Sequence, residues 1–71
     1  MTFEYFPETD TLYIALRSGP GADAEEVAPD VVLDYDAEGG VVGITVEHAS
    51  ERADLGSFSV TSIPALAAPA V

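Results

Sequence analysis

The chain of 71 residues carries 48% hydrophobic side chains and sets 13 acidic residues against two arginines, a formal charge of −11. This length fits one small domain, and the apolar content excludes a disordered polar tract. The lack of cysteine excludes disulfides, thiol catalysis and Cys-ligated zinc, and two isolated cations, Arg17 and Arg52, cannot form a basic patch for nucleic acid or an anionic membrane.

Residues 2–6 and 11–16 are rich in β-branched and aromatic side chains and flank Pro7-Glu8-Thr9-Asp10, which predicts a β-hairpin. Alternation sets Leu12, Ile14 and Leu16 on one face and Tyr13, Ala15 and Arg17 on the other; in the first strand Phe3 and Tyr5 oppose Glu4 and Phe6. Residues 17–26 (RSGPGADAEE) read as a surface loop, because Ser, Gly and Pro interrupt any period. A short extended piece, 25–28, is expected before Pro29, which belongs at an edge or a bend.

A second hairpin joins 31–35 to 41–47 through Asp36-Ala37-Glu38-Gly39-Gly40, the double glycine supplying the positive φ angles of a tight connection. Val42, Ile44 and Val46 then share one face, and Val41, Gly43, Thr45 and Glu47 the other. Gly43 in mid-strand predicts a bulge or a close backbone approach. Ser50 is the expected N-cap of a helix of one or two turns, with Glu51 in its first turn and Gly56 beyond its end. Residues 57–63 alternate weakly and suggest an edge strand, and the Ala/Pro-rich stretch 64–71 is expected to fray.

These elements make a mainly β domain (α+β at most): a small antiparallel sheet of four to five strands built from two hairpins, plus one short helix. The domain is expected over residues 1–56, with 57–71 as a C-terminal segment. The stripe Leu12, Ile14, Leu16, Leu33, Val42, Ile44 and Val46 needs a cover, which the helix is expected to give. Phe6, Tyr13, Ala15, Val32 and Val41 give the opposite side an apolar content of its own. A domain this small buries only about 60% of its unfolded surface, and its core rarely supplies more than ~3–5 kcal/mol. With no disulfide or metal as a staple, and with self-repulsion, a homodimer or higher homo-oligomer is expected. Phe6, Tyr13, Val32 and Val41 are its candidate contact residues.

The candidate chemistry is sparse. Asp34-Tyr35-Asp36-Ala37-Glu38-Gly39 begins like a calcium loop, yet Thr45 stands where the twelfth-position glutamate should be, so a hairpin turn is the better reading. His48, the single histidine, could serve as a general base with Glu47, Glu51 or Asp34 beside it, making an enzyme or ligand site at a subunit cleft the alternative function. Adjacent strand residues point to opposite faces, which argues against that convergence. Asp34 and Asp36 fall on one strand face by alternation. Gly19-Pro20-Gly21 lacks the lysine of a phosphate loop and reads as a turn. No catalytic residue, cofactor or metal is assigned. Glu25, Glu26, Asp34, Asp36 and Glu38 are the candidate acidic surface for a basic protein partner.

No apolar run approaches the ~18 residues of a membrane span, and the opening Met-Thr-Phe-Glu has neither the basic head nor the apolar stretch of a secretory signal. A cytoplasmic protein is expected.

The series Tyr5-x-Pro7-Glu8-x-Asp10-x-Leu12-Tyr13-Ile14, then Glu26-Val27-Ala28-Pro29-x-Val31-Val32-Leu33-Asp34-Tyr35-Asp36, then Gly39-x-Val41-Val42-Gly43-Ile44-x-Val46 and Ala49-Ser50 resembles the domain-of-unknown-function 2283 family. The chain departs from the family pattern at Phe6, where an acid usually precedes the turn proline, at Gly40 and at Glu47-His48. The resemblance implies a small β-rich fold without an established activity. It also implies an antitoxin-like role, since some relatives look like the antidote half of toxin–antitoxin pairs.

Overall fold

Runs of β-branched and aromatic residues become strands where turn-forming residues bound them. In the computed structural model, which describes residues 1–61, four such runs do so, and an acidic run joins them as a fifth strand. They are β1 (Thr2–Phe6), β2 (Thr11–Ala15), β3 (Asp23–Ala28), β4 (Val31–Tyr35) and β5 (Val41–Val46), followed by one turn of helix, α1 (Ala49–Arg52). Neighbours pair antiparallel in the order β1-β2-β5-β4-β3. This is the mainly β fold that the sequence predicts, with its last strand at the centre.

Register assigns the faces. Val46 lies between Leu12 and Val31, and Ile44 between Ile14 and Leu33. Tyr5 stands beside Leu12 and Phe3 beside Ile14, so one apolar face runs unbroken from β1 to β4. The reverse face carries the row Glu4, Tyr13, Thr45, Val32 and Glu26. Among the described residues, the buried hydrophobic core consists of Val42 and Ala49 alone, and the outer strands β1 and β3 are exposed throughout.

Gly43 answers to both readings made of it. The register slips between Asp34↔Gly43 and Tyr35↔Val41, so β5 bulges at Val42. The Tyr13 ring also lies so close over Gly43 that a Cβ there would stand 2.5 Å from the phenol oxygen. The bulge carries a correction. Val41 stands opposite Tyr35, on the Leu33 face and not on the reverse face with Tyr13 and Val32. A second register shift, between Glu26 and Ala28, leaves Val27 unpaired.

Other expectations are corrected at element ends. The surface loop is shorter than 17–26, because β4 offers a ladder that draws the acidic run from Asp23 onward into β3. Leu16 and Glu47 fall just outside their strands. In the β4–β5 turn only Gly39 has positive φ, at 89°; Gly40 does not. Ser50 is not the N-cap: His48 takes that position in the left-handed region, and α1 stops at Arg52. A helix of one turn buries only Ala49, so it does not cover the apolar stripe as expected. Residues 57–61 form no strand, although Phe58 meets Phe3 edge-on with ring centroids 5.2 Å apart. The remainder of the expected edge strand and the stretch 64–71 lie outside the described residues.

Candidate functional site

Two aspartates fix the helical end of the sheet. Asp10 closes the β1–β2 turn and Asp30 the β3–β4 turn, both with positive φ (52° and 66°), a conformation that Asp tolerates better than most residues. The Asp10 carbonyl accepts the Ala49 amide at 2.8 Å. Its carboxylate accepts the Tyr5 hydroxyl at 2.7 Å, the Ser50 amide at 3.1 Å and the Ser50 hydroxyl at 2.7 Å. The helix is thus capped from a turn elsewhere in the chain, which frees the Ser50 side chain from that task. These bonds hold the Asp10 carboxyl below its ordinary range, Tyr5 first and Ser50 next, and push the Tyr5 phenol up.

Asp30 secures the other side of α1. Its carbonyl accepts the Glu47 amide at 2.8 Å, while its carboxylate faces Arg52 Nε at 3.0 Å and His48 Nδ1 at 3.1 Å. Arg52 and then His48 lower the Asp30 carboxyl, and Asp30 in turn raises His48. The His48 side chain is 63% exposed. Ser50 donates its hydroxyl to Asp10, so this serine is not aligned with His48 as nucleophile and base. The cluster is built to hold α1 against two turns.

The opposite end of the sheet is organised by Asp36. Its carboxylate accepts the Gly40 amide at 2.7 Å and the Glu38 amide at 3.0 Å and pairs with Arg17. The backbone amides of Gly40 and Glu38, with Arg17 after them, hold the Asp36 carboxyl below its ordinary range. A shallow cleft of about 370 Å³ lies between residues 17–22 and the Asp36–Glu38 turn, floored by Val42. It lies away from His48, at the start of β5 rather than its end.

The five acids proposed for a partner surface do not form one patch. Glu25 lies on the apolar face at the β3 edge, where it accepts the Tyr35 hydroxyl at 3.3 Å. Glu26 and Asp34 lie on the reverse face. Asp36 is outside β4, folded back into its own turn, so the alternation that pairs it with Asp34 ends before it. Glu38 stands in the turn itself. With Arg17 on Asp36 and Arg52 on Asp30, both arginines are engaged within the chain. Among the described residues, no group of three or more His, Cys, Asp or Glu could hold a metal ion, and no helix is long and apolar enough to cross a membrane.

Of the residues proposed for self-association, Tyr13 and Val32 flank Thr45 on the reverse face, and Phe6 stands 40% exposed on the outer strand. Val41 is on the other side. Sequence reasoning missed Asp10 and Asp30 as the organising residues. Each is an aspartate in a turn just before a strand, which signals left-handed backbone, but nothing local says that their carboxylates reach α1.

The family model described as "Protein of unknown function (DUF2283)" matches residues 2–50, which takes in all five strands and the start of α1. No curated protein and no solved structure matches the chain.

Proposed function

The chain belongs to the DUF2283 family, and from that premise we propose that it is a non-enzymatic association module: a cytoplasmic homo-oligomer whose acidic exterior holds a small basic protein partner, as an antitoxin holds its toxin. The observation that carries this reading is the pattern of burial. A five-stranded sheet in which only Val42 and Gly43 of β5 are buried has two half-open faces, and Phe3, Tyr5, Phe6, Leu55 and Phe58 are exposed around it. A second polypeptide is the available means of removing that apolar surface from water.

Charge supports the choice of partner. Thirteen acids face two arginines, and both arginines are engaged by aspartates. Glu25, Glu26, Asp34 and Glu38, with Glu4 and Glu8, leave a negative field that speeds and orients a basic partner. Asp36, already paired, adds less to it than the other acids.

Light scattering across a dilution series tests the first half. Oligomers that dissociate on dilution support it, and a cooperatively melting single subunit at every concentration ends it. Co-expression with the neighbouring gene product, then capture at low and high salt, tests the second half. A basic protein recovered at low salt and released at high salt is the expected result; no recovery at either salt counts against it.

A further inference from the structure

We propose that a second copy of this chain packs on the face carrying Leu12, Ile14, Val31, Leu33, Ile44 and Val46, closing the two sheets into a sandwich; this rests on the association reading and names its surface. All six residues belong to the inner strands, and their register joins them into two rows of aliphatic side chains across β2, β5 and β4. α1 is too short to cover them. Packed sheets stand about 10 Å apart, with strands crossing at about 30°, and bury such rows against each other.

Two observations select a second copy as the occupant. The first is charge. Of the 13 acids in the chain, only Asp23 and Glu25 project among the strand residues of this face, both from the outer strand β3. The reverse face carries Glu4, Glu26 and Asp34. A basic partner would find no charge to pair with at the centre of the apolar face, whereas an identical face brings none to bury.

The second is area. Five strands about 4.8 Å apart and five residues of about 3.4 Å each give a planar footprint of roughly 400 Å². With side-chain relief, two copies reach the lower end of the roughly 1,200–2,000 Å² that stable interfaces bury. The reverse face stays in water, leaving Glu4, Glu26 and Asp34 free for the basic partner, while Asp23 and Glu25 stand at the rim of the contact on the outer strand β3.

Leu33 and Val32 are neighbours in β4 that face opposite sides, and they provide the test. The full chain is followed by light scattering and sedimentation, with circular dichroism to read the sheet. Leu33→Glu is expected to give a folded monomer, and Leu33→Thr, a milder change, to raise the dimer dissociation constant at least tenfold. Val32→Glu is expected to leave that constant within about threefold. A Leu33→Thr chain that dimerises as tightly as the parent overturns the assignment, as does a Val32→Glu chain that is a monomer, since the interface would then be the reverse face. A parent chain that is itself monomeric fails the association reading instead, so the two failures are told apart.

Discussion

Asp10 and Ser50 lie forty positions apart and are joined by hydrogen bonds from both donors of the serine: the Ser50 hydroxyl donates to Asp10 Oδ2 at 2.7 Å, and its amide is shared between Oδ1 at 3.1 Å and Oδ2 at 3.3 Å. The first turn of the sheet thereby caps the helix at the end of the family-matched segment. A helix of four residues has no stability of its own, so its position depends on such anchors.

Removing the anchor is expected to free α1 before it disturbs the sheet. Asp10→Ala loses both the acceptor and the tolerance for positive φ, while Asp10→Asn keeps one acceptor oxygen and that tolerance. The melting temperature should therefore fall in the order parent, Asp10→Asn, Asp10→Ala, with the Ala49 and Ser50 amides losing protection from hydrogen exchange. An Asp10→Ala variant that melts with the parent would show that the cap contributes nothing.

The His48–Asp30 pair gives stability a pH dependence with a definite sign. His48 is raised above its ordinary 6.5 by Asp30, so its contribution is full below 6.5 and fades as pH rises through the higher folded value. Asp30 and Asp10 are lowered from 3.8, so theirs is full above 3.8 and is lost as pH falls through the lower folded values. The pairs are solvent-accessible, so salt should weaken both effects. In thermal melts at low salt, His48→Asn should remove the decline that begins above pH 6.5 and should soften the acid-side loss without abolishing it, because Arg52 still lowers the Asp30 carboxyl and Tyr5 and Ser50 still lower that of Asp10. An alkaline decline that survives the substitution would assign it to another group.

Gly39 and Gly43 are sensitive for different reasons. At Gly39 a Cβ would meet nothing within 4 Å, yet φ is 89°. Gly39→Ala should therefore cost about 1–2 kcal/mol through backbone conformation alone, and Gly39→Asn less. Denaturant titration that ranks Asn as no better than Ala would point to sterics instead.

At Gly43 the obstacle is a side chain. A Cβ would stand 2.5 Å from the Tyr13 oxygen and 3.0 Å from its Cζ, so Gly43→Ala must swing the ring off the strand. A cost of roughly 1–3 kcal/mol is expected. Combined with Tyr13→Ala, it should cost much less than the sum of the two single changes, because the ring that the added methyl group displaces is then gone. Strict additivity in this cycle would mean that the two residues do not interact.

Local signals sufficed for β1, β2, β4 and β5, whereas most of β3 reads locally as loop. The runs at Thr2–Phe6 and Val31–Tyr35 have the predicted bounds, and the polar segments between strands become the turns. Alternation also picks out the stripe that faces one way, because side-chain direction in a strand is a period-two property of the chain itself. The acidic exterior is legible too, since with two arginines no arrangement could offset thirteen acids.

Other features were decided at long range. β5 pairs with β2 as well as β4 only because two hairpins meet along its edges, and the bulge at Val42 then turns Val41 to the Leu33 face. Asp10 and Asp30 gained their roles the same way, as turn residues that strand order brings beside α1. Which segments extend, where they turn and what charge they carry can be read from the order of amino acids, because each depends on neighbours within a few residues. Which edges meet, which turn caps the helix and how little of the sheet that helix covers emerge only in the folded chain, because pairing and burial join residues far apart in it.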